Sequence, residues 1–369
     1  MIYLDHGATS MHKPPQVGAA MLKALRECGN PGRGGHRAAM AAARRVFSCR
    51  ELAAKLFDCS EEQVVFTSSC THGLNIALAS LVKPGARVVI SGFEHNAVVR
   101  PLVALGAKII VAGRKLFAPA DTLNAFSEAL AKGAEVAVFT ACSNVFGYRL
   151  PVEELADLCR SQGVPFVIDA AQAAGNQSLS FQKLGADFMA MPGHKGLLGP
   201  QGTGLLLCAG EPKPLLYGGT GSQSRSPLMP EELPDRLEAG TLNVPGIAGL
   251  GAGLSYVLHH DPEHIGKREE AVAALCAKEV EKLGFQVFAG WPQGGTLSFL
   301  PPGDCELWGQ KLARKGIAVR AGLHCAPLAH ESAGTLETGT VRLSFGHDAS
   351  ASQVEELMRV LRQIRQDVM

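Results

Sequence analysis

The chain has 369 residues, 46% of them hydrophobic, and a formal charge of +1 at pH 7. At about 150 residues per domain that length serves two or three cores. A charge this close to zero argues against a nucleic-acid or other polyanionic partner, no apolar run is long enough to span a bilayer, and the 10 cysteines are scattered with no CxxC pair, which fits free thiols in a reducing cytoplasm.

The opening Met1-Ile2-Tyr3-Leu4-Asp5 lacks the basic and apolar regions of a signal peptide. Pro14 and Pro15 then open an amphipathic segment to about Cys28, and a glycine-rich loop spans 30–36. A helix follows from about Ala38 to Phe57, with Arg44, Arg45 and Arg50 among its charged positions, and it reads as scaffold. From Gln63 onward, strand patterns at 64–66, 87–91, 108–111, 135–140, 165–169, 188–191 and 204–208 alternate with helical ones at 73–81, 98–105, 121–131 and 152–162. Such alternation predicts an α/β fold built on a mostly parallel, seven-stranded sheet. Ligands then bind at the carboxyl ends of the strands. Residues 218–234 are polar and broken by prolines, and read as an extended, partner-crossing segment. Beyond about Tyr256 come a helix (262–283), strands (285–288 and 296–299), a helix (305–315), strands (317–320 and 340–345) and a helix (350–365), a smaller α+β domain.

Chemistry concentrates at the strand ends. Met191-Pro192-Gly193-His194-Lys195-Gly196 sets a lysine in a glycine-flanked turn, where backbone can come close. Taken alone, Lys195 reads as a solvated turn residue. A second stretch, Phe166-Val167-Ile168-Asp169-Ala170-Ala171-Gln172, ends a buried strand on an acid. Such an acid is costly to bury without a partner, unless it only caps a helix. A lysine for an aldehyde and a carboxylate for a pyridinium nitrogen are the pair that pyridoxal phosphate chemistry needs, and Gln172 is in place for the cofactor's phenolic oxygen. Phe66-Thr67-Ser68-Ser69-Cys70-Thr71-His72-Gly73 is a strand end and helix start suited to a phosphate, or simply a helix capped by Thr71. It fits neither nucleotide-binding glycine pattern. His95 follows another strand, either as a structural histidine or as a ring-stacking acid or base. In Arg320-Ala321-Gly322-Leu323-His324-Cys325-Ala326-Pro327, Cys325 lies in a loop beside two cationic residue types that favour thiolate. Arg342 is either a carboxylate clamp or a structural ion pair.

Together, Asp169-Ala170-Ala171-Gln172, Gly193-His194-Lys195, Glu238-Ala239-Gly240-Thr241 and Arg320-Ala321-Gly322-Leu323-His324-Cys325-Ala326 resemble the class V aminotransferases. The likeness is to the cysteine desulfurase and selenocysteine lyase group, short-loop branch. It implies the pyridoxal-phosphate-dependent transferase fold type I, with a large cofactor domain at 15–255. A small domain of 1–14 and 256–369 carries the cysteine loop. It also implies a desulfurase of L-cysteine with a sulfur-acceptor protein as partner, the alternatives being a selenocysteine lyase that releases selenium from L-selenocysteine or another class V aminotransferase-type reaction that does not need Cys325. Lys195 then holds the cofactor, Asp169 its ring nitrogen and Gln172 its ring oxygen. His95 stacks on the ring, and Asn144 lies near the cofactor oxygen and the substrate. Thr71, His72 and His194 approach the phosphate, with Thr241 reaching it from the other subunit of a homodimer. Arg342 binds the substrate carboxylate, and Cys325 takes the sulfur. His6-Gly7 stands where the group commonly has Asn-Ala, Pro192 where it has Ser or Thr, and Ser69, Cys70 and His72 also depart from its pattern.

Overall fold

The structure, a computed structural model, describes residues 1–32 and 34–366; Arg33, within the loop expected at 30–36, and residues 367–369, at the end of the expected small domain, lie outside the described residues. The chain opens with strand β1 (Ile2–Tyr3) and helices α1 (Pro15–Glu27) and α2 (Arg37–Phe57). Pro15 sits in the first turn of α1, where its missing N–H is no loss. Strands and helices then alternate: β2 (Val64–Thr67), α3 (Cys70–Leu81), β3 (Arg87–Ser91), α4 (Asn96–Ala104), β4 (Lys108–Ala112), α5 (Pro119–Ala131), β5 (Val136–Thr140), α6 (Val152–Ser161), β6 (Phe166–Asp169), α7 (Phe181–Leu184), β7 (Phe188–Pro192) and β8 (Gly204–Cys208). These strands form one seven-stranded sheet in the order β2-β8-β7-β6-β5-β3-β4, parallel from β7 to β4. Only β8 runs against its neighbours. Strands β5, β6 and β7 are buried at every residue, because helices cover both faces and an unbroken apolar run suits that setting.

Helices α8 (Val244–His260) and α9 (Pro262–Lys282) lead to β9 (Gln286–Phe288), β10 (Thr296–Leu300), α10 (Cys305–Arg314), β11 (Ile317–Ala318), β12 (Arg320–Gly322), α11 (Pro327–Ala333), β13 (Thr340–Ser344) and α12 (Ala351–Gln366). An antiparallel sheet, β12-β13-β10-β9, carries a second core of its own, and Leu4 from the chain start packs into it.

One expectation needs correction. The single strand at 317–320 is two: β11 pairs with β1, and β12 pairs with β13, so the chain changes sheets at Val319. The glycine-rich run from Val244, to which the sequence reading gives no element, is helix α8. Its glycines lie where neighbours press in: a Cβ on Gly251 would stand against Cys49 of α2. Close helix packing overrides the poor helix propensity of glycine. Arg50, on the helix read as scaffold, is buried; both its terminal nitrogens donate to Glu238, at 3.1 and 3.0 Å.

Candidate active site

The carboxyl ends of β3, β5, β6 and β7 open on one edge of the large sheet, as open α/β folds require of a ligand site. A cavity of about 520 Å³ lies there, and Thr71, His95, Asn144, Asp169, Gln172, His194 and Lys195 all line it. Residues from five separate stretches of sequence thus meet at one place.

Lys195 follows β7 in a turn that glycine makes possible: a Cβ on Gly193 would collide with Thr203 Oγ1. The lysine is half-buried. Its amine makes no hydrogen bond among the described residues, and burial pushes its pKa down. Asp169 ends β6 with 2% exposure. Its Oδ1 accepts from the Ala171 N–H at 2.9 Å and faces the Cys70 thiol at 3.5 Å. No hydrogen bond among the described residues reaches Oδ2. The carboxylate therefore does both things considered for it: it caps the following turn and lines the cavity.

His95 is the N-cap of α4, and its Nδ1 accepts from the Ala97 N–H at 3.0 Å. That bond leaves the proton on Nε2 of a neutral ring, and burial lowers the pKa further. His95 is therefore a donor toward the cavity, not a base, in this arrangement. Gln172 Nε2 donates to Gly7 O at 2.9 Å, tying the chain start to the cavity rim. His194 Nδ1 lies 3.1 Å from Thr9 Oγ1, and burial pushes its pKa down to about 4. At α3, Ser69 and not Thr71 is the cap, accepting from the His72 N–H at 3.2 Å. Thr71 is left exposed at the helix N-terminus, while the His72 ring folds back toward Ser68 at 3.4 Å and does not line the cavity.

The donor set fits pyridoxal phosphate. A buried carboxylate with one unpartnered oxygen and a desolvated amine line the same cavity, yet no ion pair joins them among the described residues. A ring with a protonated nitrogen on one side and an aldehyde on the other satisfies both. The α3 N-terminus offers N–H groups to a phosphate.

Cys325 lies outside this cavity, on the loop between β12 and α11. Cys325 and the preceding His324 both adopt left-handed backbone, with φ of 55° and 53°, a conformation costly for residues with a Cβ. Two bonds from the large sheet's loops pin it: the Asn96 N–H donates to Cys325 O at 2.8 Å, and Asn144 Nδ2 donates to His324 O at 2.9 Å. The expectation of a cationic His324 beside the thiol is corrected. Burial pushes its pKa down to about 2, so the ring is neutral, stacked on His330 with 3.3 Å between His324 Nδ1 and His330 Nε2. Arg320 is charged but bidentate on Asp5.

Arg342 is buried in β13. Its Nη2 donates to Asp5 Oδ1 at 2.8 Å and its Nη1 to Asn144 O at 3.0 Å, while Nε has no partner. The ion-pair reading of Arg342 is the one seen here, with Nε left over, and Arg342 does not line the cavity that holds Lys195. Asp5, which grips both arginines, escaped the sequence reading because its partners stand 315 and 337 positions away. Thr241 is exposed in a separate groove of about 1420 Å³, next to Glu238, whose Oε1 accepts from the Phe66 N–H at 2.7 Å. Among the described residues, no helix is long and apolar enough to cross a membrane.

Residues 2–357 match the profile of the family described as Aminotransferase class-V. The chain is 31% identical to a probable cysteine desulfurase of Methanothermobacter thermautotrophicus, over 98% of this chain and 94% of the relative. It is 32% identical to a probable cysteine desulfurase of Pyrococcus abyssi, over 99% and 94%. The solved apo structure of a cysteine desulfurase from Thermococcus onnurineus superposes with a TM-score of 0.90 at 30% identity, over 98% of this chain and 94% of that one.

Proposed function

Because this chain belongs to the class V aminotransferase family, we infer that it is a cysteine desulfurase of the pyridoxal-phosphate-dependent fold type I. It converts L-cysteine to L-alanine and retains the sulfur. The observation that carries this reading over plain amino transfer is Cys325, the one exposed cysteine among the described residues. A transaminase needs Lys195 and Asp169 but has no use for an exposed thiol.

When bound, pyridoxal phosphate supplies the electron sink that lets an amino acid give up its α-proton. Lys195 Nζ holds the cofactor at rest. Its lowered pKa suits it to take the α-proton of L-cysteine and return a proton to the product. Asp169 Oδ2 would keep the ring nitrogen protonated. His95 would pack on the ring and donate from Nε2. Gln172 and Asn144 would serve the ring oxygen, and Thr71 and His194 the phosphate, while His72, turned toward Ser68, stays out of the cavity. Arg342 receives the substrate carboxylate, held in place by Asp5. Cys325 Sγ attacks the substrate sulfur: an S–S bond forms, the Cβ–S bond breaks with its electron pair left on carbon, and that carbon is protonated to alanine. The persulfide on Cys325 then passes its outer sulfur to an acceptor protein, which the exposed loop can reach. The enzyme works as a homodimer in the cytoplasm, with Thr241 completing the partner's phosphate site. Exposed Tyr217, Leu216 and Leu228, at 77, 57 and 78% accessibility, support a partner over that segment.

The test is Cys325→Ser. Alanine formation from L-cysteine should fall at least about a hundredfold, because a serine hydroxyl is not ionised near neutral pH. No persulfide should appear by intact mass, and the cofactor's visible absorption should remain. Wild-type turnover in that variant would return the chain to simple transamination or elimination.

A further inference from the structure

A second cluster of titratable groups stands apart from the cysteine loop, where the chain start meets the end of β13. His6 Nε2 lies 3.6 Å from Asp348 Oδ1, and His12 Nδ1 lies 2.7 Å from Asp348 Oδ2. One ligand atom from each of the three residues falls within 4.8 Å of the other two. His6 is 6% exposed, and neither of its ring nitrogens has a hydrogen-bond partner; Asp348 Oδ1, also buried, has none. Buried polar atoms in folded proteins are normally satisfied. The His12–Asp348 pair alone leaves three orphans together.

The surroundings make room for His6 and hold its plane. A Cβ on Gly346 would collide with its ring. Tyr3 packs edge-on against both imidazoles, with centroids 4.9 Å from His6 and 6.1 Å from His12.

We propose that His6, His12 and Asp348 form a binding site for a divalent transition cation of the zinc type. Two imidazoles and one carboxylate suit that class, whereas Mg²⁺ and Ca²⁺ prefer all-oxygen shells. Tetrahedral zinc with bonds of about 2.0–2.2 Å sets its ligand atoms about 3.4 Å apart. The His6–Asp348 distance already matches, and the shorter His12–Asp348 one opens when the cation replaces their shared proton. Half-exposed His12 gives an entry path, and a water takes the fourth position. The cation would clamp the chain start to the approach of α12. That start carries Asp5, which grips Arg320 and Arg342, and Gly7, which anchors Gln172.

The experiment is Zn²⁺ titration of the chelator-treated holoenzyme by calorimetry, in a Cys325→Ser background so that the exposed thiol does not compete. One Zn²⁺ per chain is expected, with Mg²⁺ unable to displace it and with the thermal midpoint raised. Co²⁺ in its place should show visible bands of a tetrahedral site and no thiolate charge-transfer band. His6→Asn, Asp348→Asn and the exposed His12→Ala should each weaken Zn²⁺ more than about tenfold, while leaving the cofactor's absorption unchanged. Absence of stoichiometric Zn²⁺ in the parent overturns the proposal. So does parental affinity in all three variants, or a thiolate band with Co²⁺.

Discussion

Lys195 sits half-buried at the end of β7, on a turn that close packing leaves no freedom, whereas Cys325 stands exposed on a loop of strained backbone. The cavity residues draw their positions from parallel strands whose neighbours lock them: Asp169 pairs in register with Thr140 on one side and Ala190 on the other. The thiol draws its position from contacts between lobes, two donors from the large sheet's loops to carbonyls at 324 and 325 and a pair of stacked neutral histidines. The difference follows from the two tasks. Proton transfer needs fixed geometry in a site shielded from water. Sulfur delivery needs a nucleophile that can meet first a bound substrate and then a second protein.

Removing an anchor from the rigid side should do most damage. Lys195→Ala should bring alanine production below detection and abolish the borohydride-reducible cofactor linkage, since no other lysine lines the cavity. Retention of that linkage would show that the amine has been misplaced in this account. Asp169→Asn should keep cofactor but lose activity on the order of 10²-fold, the scale of one preorganised electrostatic contact. Near-normal turnover would reduce Asp169 to the turn cap that its bond to Ala171 also describes.

For the residues that support the Cys325 loop the expected losses are smaller. His330 is fully buried, with Nδ1 2.8 Å from Thr335 Oγ1 and Nε2 facing His324. It is a positioning residue: His330→Leu should leave His324 unsupported and lower kcat about tenfold, with KM and the cofactor spectrum unchanged, since misplacement of a reacting group by an ångström costs up to about 10². Thr335→Val should repeat the effect in weaker form. An unaltered kcat in both would mean that the two backbone anchors hold the loop alone.

The same contrast marks how much the sequence disclosed. The seven strands of the large sheet were legible because runs such as Val136-Ala137-Val138-Phe139 are apolar without interruption. Lys195, Asp169 and His95 could then be placed at one edge by topology alone. What stayed hidden was long-range or context-dependent. Asp5 binds arginines at the far end of the chain, and no local pattern links them. His324 is a cation by residue type and a neutral ring by burial. The sequence assigns no element to the run of helix α8, and its glycines find their reason only in its packing against α1 and α2, where small size outweighs flexibility.

The smallest expected effect lies beneath the rigid side. Glu94 is fully buried, with Oε1 accepting from the Thr140 N–H at 2.8 Å and from the Ser91 hydroxyl, and Oε2 without a partner. Burial pushes its pKa up to about 8, and does the same for Glu269. In the unfolded chain both titrate near about 4.3. Between those values the folded state holds protons that the unfolded state has released, so rising pH lowers stability across that window. His6, His194 and His330, pushed down to about 4 by burial, act oppositely: the stability they contribute is present above about 6.5 and is lost as pH falls toward 4. The histidines outnumber the glutamates below 6.5, so the thermal midpoint should peak near that pH and decline toward 8. Glu94→Gln mimics the protonated acid at any pH and keeps its acceptor for Thr140. It should make the decline from 6.5 to 8 shallower while leaving the acid limb in place. An unchanged alkaline slope would mean that Glu94 is ionised in the fold and that some unseen partner satisfies Oε2.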